Sequence, residues 1–421
     1  MPSKEDYHVA FFTNTYLPFV AGVALSVDLF QRHLRALGDR VVVYAPEYDR
    51  PAEDEDNIQR LPSIRQFLRS DFSVPLPLAG GTFMDFGKEL FDVVHVHHPF
   101  LLGEMGLRLA RQHRLPLVFT YHTLYEEYTH YVPLNERMAR KTIIRHCIDF
   151  AELCDLVIAP TRDIRRMLRE RGVETPIEVL PTGVEQKQFA RADGAAARKR
   201  LGIPLKAPVL VYVGRLAPEK NLDYLVSGCL RILEEVSRAH LVIAGDGQHR
   251  DHLPELAEAR GYGTERVHFT GKVIGKDLID LYAAGTLFVF ASKTETQGMV
   301  VLEALTAGTP VIALDANGVR DFVEDGINGR LVPEDADESV FAQAILDALD
   351  DPELIRNWSR AAKETTAKHD MPEIVKRLHR LYRSLKTRPN HRLKRGSMSF
   401  GLVRNYFETV WEELSQYFSP V

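Results

Sequence analysis

The sequence predicts an α/β chain of two doubly wound parallel-sheet domains with a C-terminal helical extension. Three observations lead there. The chain has 421 residues, more than one hydrophobic core usually organises. Short, near-continuous apolar runs alternate with longer amphipathic segments, the pattern of parallel strands joined by helical crossovers. That alternation stops near residue 186 and restarts near residue 207.

Taken in order, HVAFFTN (8–14), RVVVYAP (40–46), DVVHVHHP (92–99), LVFTYHT (117–123), DLVIAPT (155–161) and IEVLPTG (177–183) read as strands. ALSVDLFQRHLRAL and EMGLRLARQHR between them have helical spacing. Residues 1–185 thus form a Rossmann-like domain. The polar stretch 186–206 has no strand pattern and reads as a linker. PVLVYVGR (208–215), HLVIAGDG (240–247), VHFTG (267–271), LFVFAS (287–292), PVIAL (310–314) and GRLVP (329–333) are the strands of a second such domain, 207–371. LDYLVSGCLRILEEVS, IGKDLIDLYAAG and MVVLEALTAG are its helices. A helix over 372–387 is expected to pack back toward the first domain, and an amphipathic tail, 388–421, follows. No repeat of 20–50 residues is evident. Two such domains make a cleft, and ligands of open α/β sheets sit outside the carboxyl ends of the strands.

Bulk properties narrow the class. Apolar content of 45%, charged content of 26% and a net charge of −5 describe a globular protein that is not a general polyanion binder, so no nucleic-acid partner is expected. Cys147, Cys154 and Cys229 show no CxxC spacing, which favours a reducing, cytoplasmic setting. His146, Cys147 and Cys154 read as packed helix residues rather than a metal site. The N-terminus has no basic segment followed by a long apolar one, so no signal peptide is expected, and no apolar stretch reaches spanning length. Membrane contact is therefore expected to be peripheral. Lys376–Arg395 carries nine Lys/Arg and no acid. It reads either as a solvated face with a tail or as a patch for anionic lipid.

The motifs lie at strand ends. GDG (245–247) lacks the third glycine of a dinucleotide fingerprint, because position 250 is Arg. There is no P-loop and no GxSxG elbow. Asp54–Asp56 and Asp335–Asp337 sit in acidic surface stretches and are not read as metal ligands. In GRLAPEK (214–220), Arg215 and Lys220 flank a helix start, a good anion site, though a solvated loop has the same letters. Gly22, in the loop after the first strand, lets backbone amides approach a ligand. His122 ends a strand and precedes Tyr125, Tyr128, His130 and Tyr131, next to Tyr121. It is equally a structural histidine and one that orients a sugar or greasy acceptor. In KTETQGMVVLEALTAGTP (293–310), Glu295 falls at a strand end. The helix is expected to begin near Gly298, with Thr296 or Gln297 close to its N-cap. Glu303 interrupts the apolar run MVVLEAL, and a carboxylate there needs donors. Vicinal ribose hydroxyls, a salt bridge or the helix start would each supply them.

GRLAPEK, GDG, VHFTG, ETQGMVVLEALTAGTPVIA and GVRDFVEDGINGRLV together resemble the GT-B glycosyltransferases of family 4, over residues 1–385. HHPFLLG (97–103) and YHTLYEEYTHYVP look most like the subgroup that glucosylates diacylglycerol, and are similar to phosphatidylinositol mannosyltransferases. The resemblance implies a retaining hexosyltransferase with a nucleotide-sugar donor, UDP-glucose first and GDP-mannose second, and no bound metal. It implies a catalytic set of His122, Glu295, Arg215 and Lys220. Glu303 would bind the ribose, Glu295 the hexose together with the amides of Gly298 and Met299. Arg215, Lys220 and Gly22 would meet the diphosphate, His122 the hexose, and Lys272–Val273 the nucleobase. The departing phosphate would take the acceptor's proton in a front-face substitution, so no side chain need be a base.

The acceptor implied is a lipid such as diacylglycerol at an anionic membrane surface, on the cytoplasmic side. A soluble family member acting on a sugar or sugar phosphate is the alternative. A catalytically silent binding protein is the third reading, and the presence of Glu295, Glu303, Arg215, Lys220 and His122 speaks against it. Oligomeric state is left open. Thr286, where the family usually has an acid, and Ala24, where the lipid subgroup usually has a polar residue, are departures. The tail lies outside the family pattern; Phe400, Leu402, Tyr406, Phe407, Val410, Trp411, Leu414 and Phe418 recur near helical spacing. ERMARKTIIRHCI (136–148) is a second basic and apolar segment.

Overall fold

The computed structural model describes residues 6–49, 56–64, 73–75, 90–127 and 136–386. Asp54, Tyr128, His130, Tyr131, the basic residues beyond Lys386 and the tail 388–421 lie outside the described residues. The chain divides into two compact units. Unit 1 runs to Pro160 and includes Arg165–Leu180 and the chain from Arg377; unit 2 is Thr161–Ile164 and Pro181–Lys376.

Unit 1 contains strands β1 (His8–Phe12), β2 (Arg40–Pro46), β3 (Ile58–Leu61), the short antiparallel pair β4 (Ser63–Ile64) and β5 (Val74–Pro75), then β6 (Val93–Val96), β7 (Leu117–Thr120), β8 (Leu156–Ala159) and β9 (Ile177–Val179). Seven of them form a parallel sheet in the order β3-β2-β1-β6-β7-β8-β9. The strands read as unbroken apolar runs because they are covered on both faces: every residue of β1, β6, β7 and β8 is buried. Helix α1 (Gly22–Ala36) buries Ala24, Val27, Phe30, Gln31 and Leu34, a stripe at helical spacing. Helices α2 (Leu102–His113), α3 (Glu136–Glu152) and most of α4 (Arg162–Glu170) complete the crossovers. Cys147 and Cys154 are buried free thiols here, as is Cys229 of unit 2. His146 meets Pro99 O at 2.9 Å through Nε2.

Unit 2 begins with α5 (Gln186–Phe189) and α6 (Gly194–Arg200). Residues 186–206, expected as a linker, are therefore partly helical and packed. Asp193 caps α6 through the Ala196 amide, and its own amide donates to Asp280 Oδ1 at 2.7 Å. A Cβ at Gly194 would sit 2.2 Å from Ala283 O. Arg198 donates to the carbonyls of Ala284 and Ala207. The segment is held by these hydrogen bonds and by Phe189, Leu201 and Ile203, which pack on the apolar core of unit 2. Next come β10 (Val209–Val213), α7 (Leu222–Glu235), β11 (His240–Ala244), α8 (His252–Ala259), β12 (Val267–Gly271), α9 (Gly275–Ala284), β13 (Leu287–Phe290), α10 (Met299–Ala307), β14 (Val311–Leu314), β15 (Gly329–Val332), α11 (Glu338–Leu349) and α12 (Pro352–Thr366). The parallel sheet has the order β12-β11-β10-β13-β14-β15. Thr286 Oγ1 accepts from the Val209 amide at 3.0 Å, tying β10 to β13. Asp337, of the second Asp-x-Asp pair, caps α11 through the amides of Ser339 and Val340.

Helix α13 (Met371–Lys386) starts in unit 2, and its residues from Arg377 group with unit 1. There Leu378, Tyr382 and Leu385 are buried while Arg377, Arg380 and Arg383 are exposed. His379 Nδ1 lies 2.9 Å from Asp39 Oδ2. Among the described residues no helix is long and apolar enough to cross a membrane.

Both sheets change direction once. In unit 1 the order turns between β1 and β6, in unit 2 between β10 and β13. A crevice opens at such a switch point, outside the carboxyl ends of the two strands.

Candidate active site

In unit 2 the loops after β10 and β13 leave the sheet side by side at its switch point. The first carries Arg215 and Lys220, the second Glu295. Their meeting is a consequence of topology, since 75 residues separate Lys220 from Glu295. Lys220 closes a 3-10 turn, Pro218–Lys220, and its Nζ lies 2.6 Å from Glu295 Oε1. The two side chains are only 12% and 18% exposed, so this is a buried pair rather than a surface one. Burial by itself would raise the Glu295 carboxyl, but the Lys220 ammonium and then the Arg215 charge hold it below the usual range. Arg215 is half in solvent and is itself paired with Glu219. Both cations predicted for an anion therefore already hold carboxylates. An ammonium has three N–H donors and a guanidinium five, so each group type can hold a carboxylate and an anion together.

The GDG glycines act as packing, not as a dinucleotide loop. A Cβ at Gly245 would lie 1.8 Å from Gly214 O, and one at Gly247 2.4 Å from Leu216 O. Leu216 donates to Asp246 O and accepts from the His249 amide, both at 2.9 Å. The loop that carries Arg215 is thus laid directly on the loop after β11.

Helix α10 has Gly298 itself as N-cap, at φ 66°, with no side-chain cap. Gln297 does not cap, because its amide is used elsewhere: Oε1 accepts from Thr182 N at 2.8 Å and Nε2 donates to Thr182 O at 2.7 Å. The start of α10 therefore offers the positive end of its dipole, beside Glu295, with Met299 as its first residue. Glu303 lies at α10's second turn and is half-buried. Its Oε2 accepts from the Tyr282 phenol at 2.5 Å, and no lysine or arginine pairs with it among the described residues. Burial pushes its carboxyl up to about 7, against the lowering by Tyr282. Lys272, exposed, and Val273, partly buried, follow the edge strand β12.

In unit 1, Gly22 opens α1 after the β1 loop, and a Cβ there would meet nothing within 4 Å among the described residues. That loop is tied to the β6 end by the Asn14 amide, which donates to His98 Nδ1 at 3.1 Å. His122 lies just past β7, with Nε2 2.9 Å from His97 Nδ1. Burial lowers the His122 pKa to about 3, so the ring is neutral at ordinary pH. The loop that follows is pinned by a buried ion pair between Glu126 and Arg171.

Sequence reasoning missed four groups, Gly318, Glu219, Tyr282 and His97, and read Gln297 only as a residue near the helix cap. Gly318 carried a signal, standing in the quoted run GVRDFVEDGINGRLV, but its reason is tertiary. It has φ 77°, and a Cβ would lie 2.7 Å from Glu295 Cβ and 2.8 Å from Glu295 O. Gly318→Ala is expected to destabilise the protein by about 1–3 kcal/mol, through strain and displacement of the Glu295 loop. Urea denaturation measures this; an unchanged midpoint would show that the loop yields freely.

Comparisons with known proteins agree with this architecture. The family model described as Glycosyltransferase Family 4 matches residues 20–188, and that described as Glycosyl transferases group 1 matches 193–365. The alpha-monoglucosyldiacylglycerol synthase of Streptococcus pneumoniae is 31% identical over 355 residues, which are 81% of this chain and 78% of that protein. A GDP-mannose-dependent alpha-mannosyltransferase of Mycobacterium tuberculosis is 34% identical over 337 residues, 77% of this chain and 83% of that one. Among solved structures, Anabaena Alr3699/HepE in complex with UDP and glucose matches with a TM-score of 0.73 at 20% identity, over 90% of this chain and 100% of that one. With two Rossmann-like units, matches to both family models and a relative at this identity over most of its length, the chain belongs to glycosyltransferase family 4 and has the GT-B fold.

Proposed function

We propose that this glycosyltransferase moves glucose from UDP-glucose, with retention of configuration, onto a lipid acceptor such as diacylglycerol at a membrane surface. One observation carries the donor site: the buried Lys220–Glu295 pair beside Arg215, at the switch point of unit 2. Departure of a nucleoside diphosphate develops negative charge. Arg215, Lys220 and the start of α10 are the groups assigned to stabilise it. Glu295, already ionised and anchored by Lys220, accepts from hexose hydroxyls, and the amides of Gly298 and Met299 complete that contact. Glu303 accepts from the ribose hydroxyls, and Lys272–Val273 meet the base. In unit 1, His122 is assigned to the hexose and Gly22 to the diphosphate; among the described residues no protein atom lies where a Cβ at Gly22 would reach. The departing phosphate receives the acceptor's proton, so no carboxylate serves as base.

The lipid acceptor is supported by the relative named an alpha-monoglucosyldiacylglycerol synthase and by exposed charge. Helix α3 exposes Arg137, Met138, Arg140, Lys141 and Arg145, and α13 exposes Lys376, Arg377, Arg380 and Arg383. Each such cation near an anionic surface contributes about 1 kcal/mol. The reading has the protein act peripherally at the cytoplasmic face. The GDP-mannose-dependent relative supports the second reading, a mannosyltransferase, and a soluble sugar or sugar phosphate as acceptor is tested with it.

A panel of UDP-glucose and GDP-mannose against diacylglycerol vesicles and soluble sugar acceptors, read by mass spectrometry, decides between them. The anomeric proton coupling of the product reads retention. Flotation of the full chain with anionic vesicles, and none with neutral ones, is the expected companion result. Turnover of soluble acceptors alone, with no flotation, would sink the lipid reading.

A further inference from the structure

Unit 1 holds a histidine chain, His95–His97–His122, of which the roles above use only His122. His95 lies in β6 and His97 just past its end, two residues apart and therefore on one face of the strand. Their rings stack at 4.4 Å, and His97 stacks in turn on His122 at 5.2 Å. His95 is held at both nitrogens: Nδ1 is 2.6 Å from the Tyr382 phenol of α13, and Nε2 is 2.7 Å from Thr120 Oγ1. Phe11 packs edge-on against both His95 and His97. His97 is 0% exposed, and its Nε2 has no hydrogen-bond partner among the described residues.

That orphan nitrogen decides the tautomer. A neutral imidazole carries one N–H and one lone pair. With its proton on Nε2, His97 would bury an N–H with no acceptor, which is rare and costly. With its proton on Nδ1, only a lone pair goes unmet, and Nδ1–H donates to His122 Nε2. His122 must then keep its own proton on Nδ1. Burial, with the neighbouring histidines adding to it, holds His95 and His97 neutral, and burial does the same for His122.

We propose that His97 is a positioning residue that fixes the ring plane and the Nδ1–H tautomer of His122, so that His122 meets the donor sugar as a hydrogen-bond donor and not as a base. The second half rests on the assignment of His122 to the hexose; the tautomer does not.

The test uses the full chain labelled with ¹⁵N-histidine, with His122→Gln to identify the His122 signals. The expected spectrum shows a protonated Nδ1 and an unprotonated Nε2 on His122. His97→Leu is expected to lower kcat about 100-fold through misorientation, with donor KM changed less than about twofold. His97→Asn, whose side-chain amide can donate from the place of Nδ1, is expected to recover at least about tenfold of that loss. A wild-type His122 protonated at Nε2, or His97→Leu at wild-type kcat, overturns the proposal. Should His97→Leu fail to fold by circular dichroism, the wild-type spectrum and the kcat of His97→Asn, expected within about tenfold of wild type, decide it. Full activity of His122→Ala overturns the sugar contact while leaving the tautomer measurement to stand, so the two failures are distinct.

Discussion

Replacing Lys220 by alanine is expected to lower kcat by about a thousandfold, with the donor's KM changed far less. The reason is that its charge matters most when the diphosphate leaves, and loss of one such stabilising group costs roughly 10²–10³ in kcat. The same change strands Glu295 without the cation that holds its carboxyl low. Breaking a buried pair from one side costs about 3 kcal/mol of stability. Stability and catalysis must therefore be separated. Glu295→Gln in the Lys220→Ala background removes the stranded charge and is expected to restore most of the lost stability, but none of the turnover. Denaturation midpoints and single-turnover rates for the two single variants and the double variant measure this. Recovery of turnover along with stability would falsify a direct role for Lys220 in the reaction.

Glu303 is expected to make nucleotide binding depend on pH near neutrality. Its carboxyl is pushed up to about 7 by burial. Only the ionised form accepts two hydroxyl hydrogen bonds fully, so affinity for a nucleoside diphosphate should rise as pH climbs through about 7. Stability should move the other way. The folded protein holds a proton on Glu303 that the unfolded chain has lost between the ordinary carboxyl range and about 7. Stability from this group is therefore complete below that window and falls as pH rises through it. Glu303→Gln keeps an acceptor for the Tyr282 phenol but cannot ionise. It should be more stable than wild type above about pH 7 and bind nucleotide about tenfold more weakly; Glu303→Ala should bind about 100-fold more weakly. Calorimetric titration at about pH 6 and about pH 8, with melting curves at both, tests the pair of effects. A pH-independent affinity, or a Glu303→Ala variant that binds as wild type does, would remove Glu303 from the ribose.

Much of the fold was legible because parallel strands covered on both faces must be apolar throughout. VLVYV (209–213) and LVIA (156–159) announce themselves as buried strands without any alignment. The segment 186–206 shows no strand pattern for a different reason. Its second helix is held by Asp193, Gly194 and Arg198 against α9 and its flanks, with only scattered apolar residues such as Phe189, Leu201 and Ile203 reaching the core. The GDG run shows a motif changing meaning. Letters suited to a phosphate loop serve here to let one loop lie on another, and only the distances from Gly245 and Gly247 reveal it.

Residue type and position along the chain were determined by the sequence alone: carboxylates at a strand end and in an apolar helix, cations before a helix start, a histidine past a strand. It also determined that two sheets would form, since unbroken apolar runs of strand length and the helical period between them can be read locally. Partnership was decided by the tertiary structure. Lys220 met Glu295 because β10 and β13 became neighbours where the strand order turns, and Glu303 found a phenol 21 residues away in α9. The physical reason is range. Periodicity and propensity act over a few residues, whereas the charge state and orientation of Glu295, Glu303 and His122 depend on burial and on groups brought near only by packing the sheet.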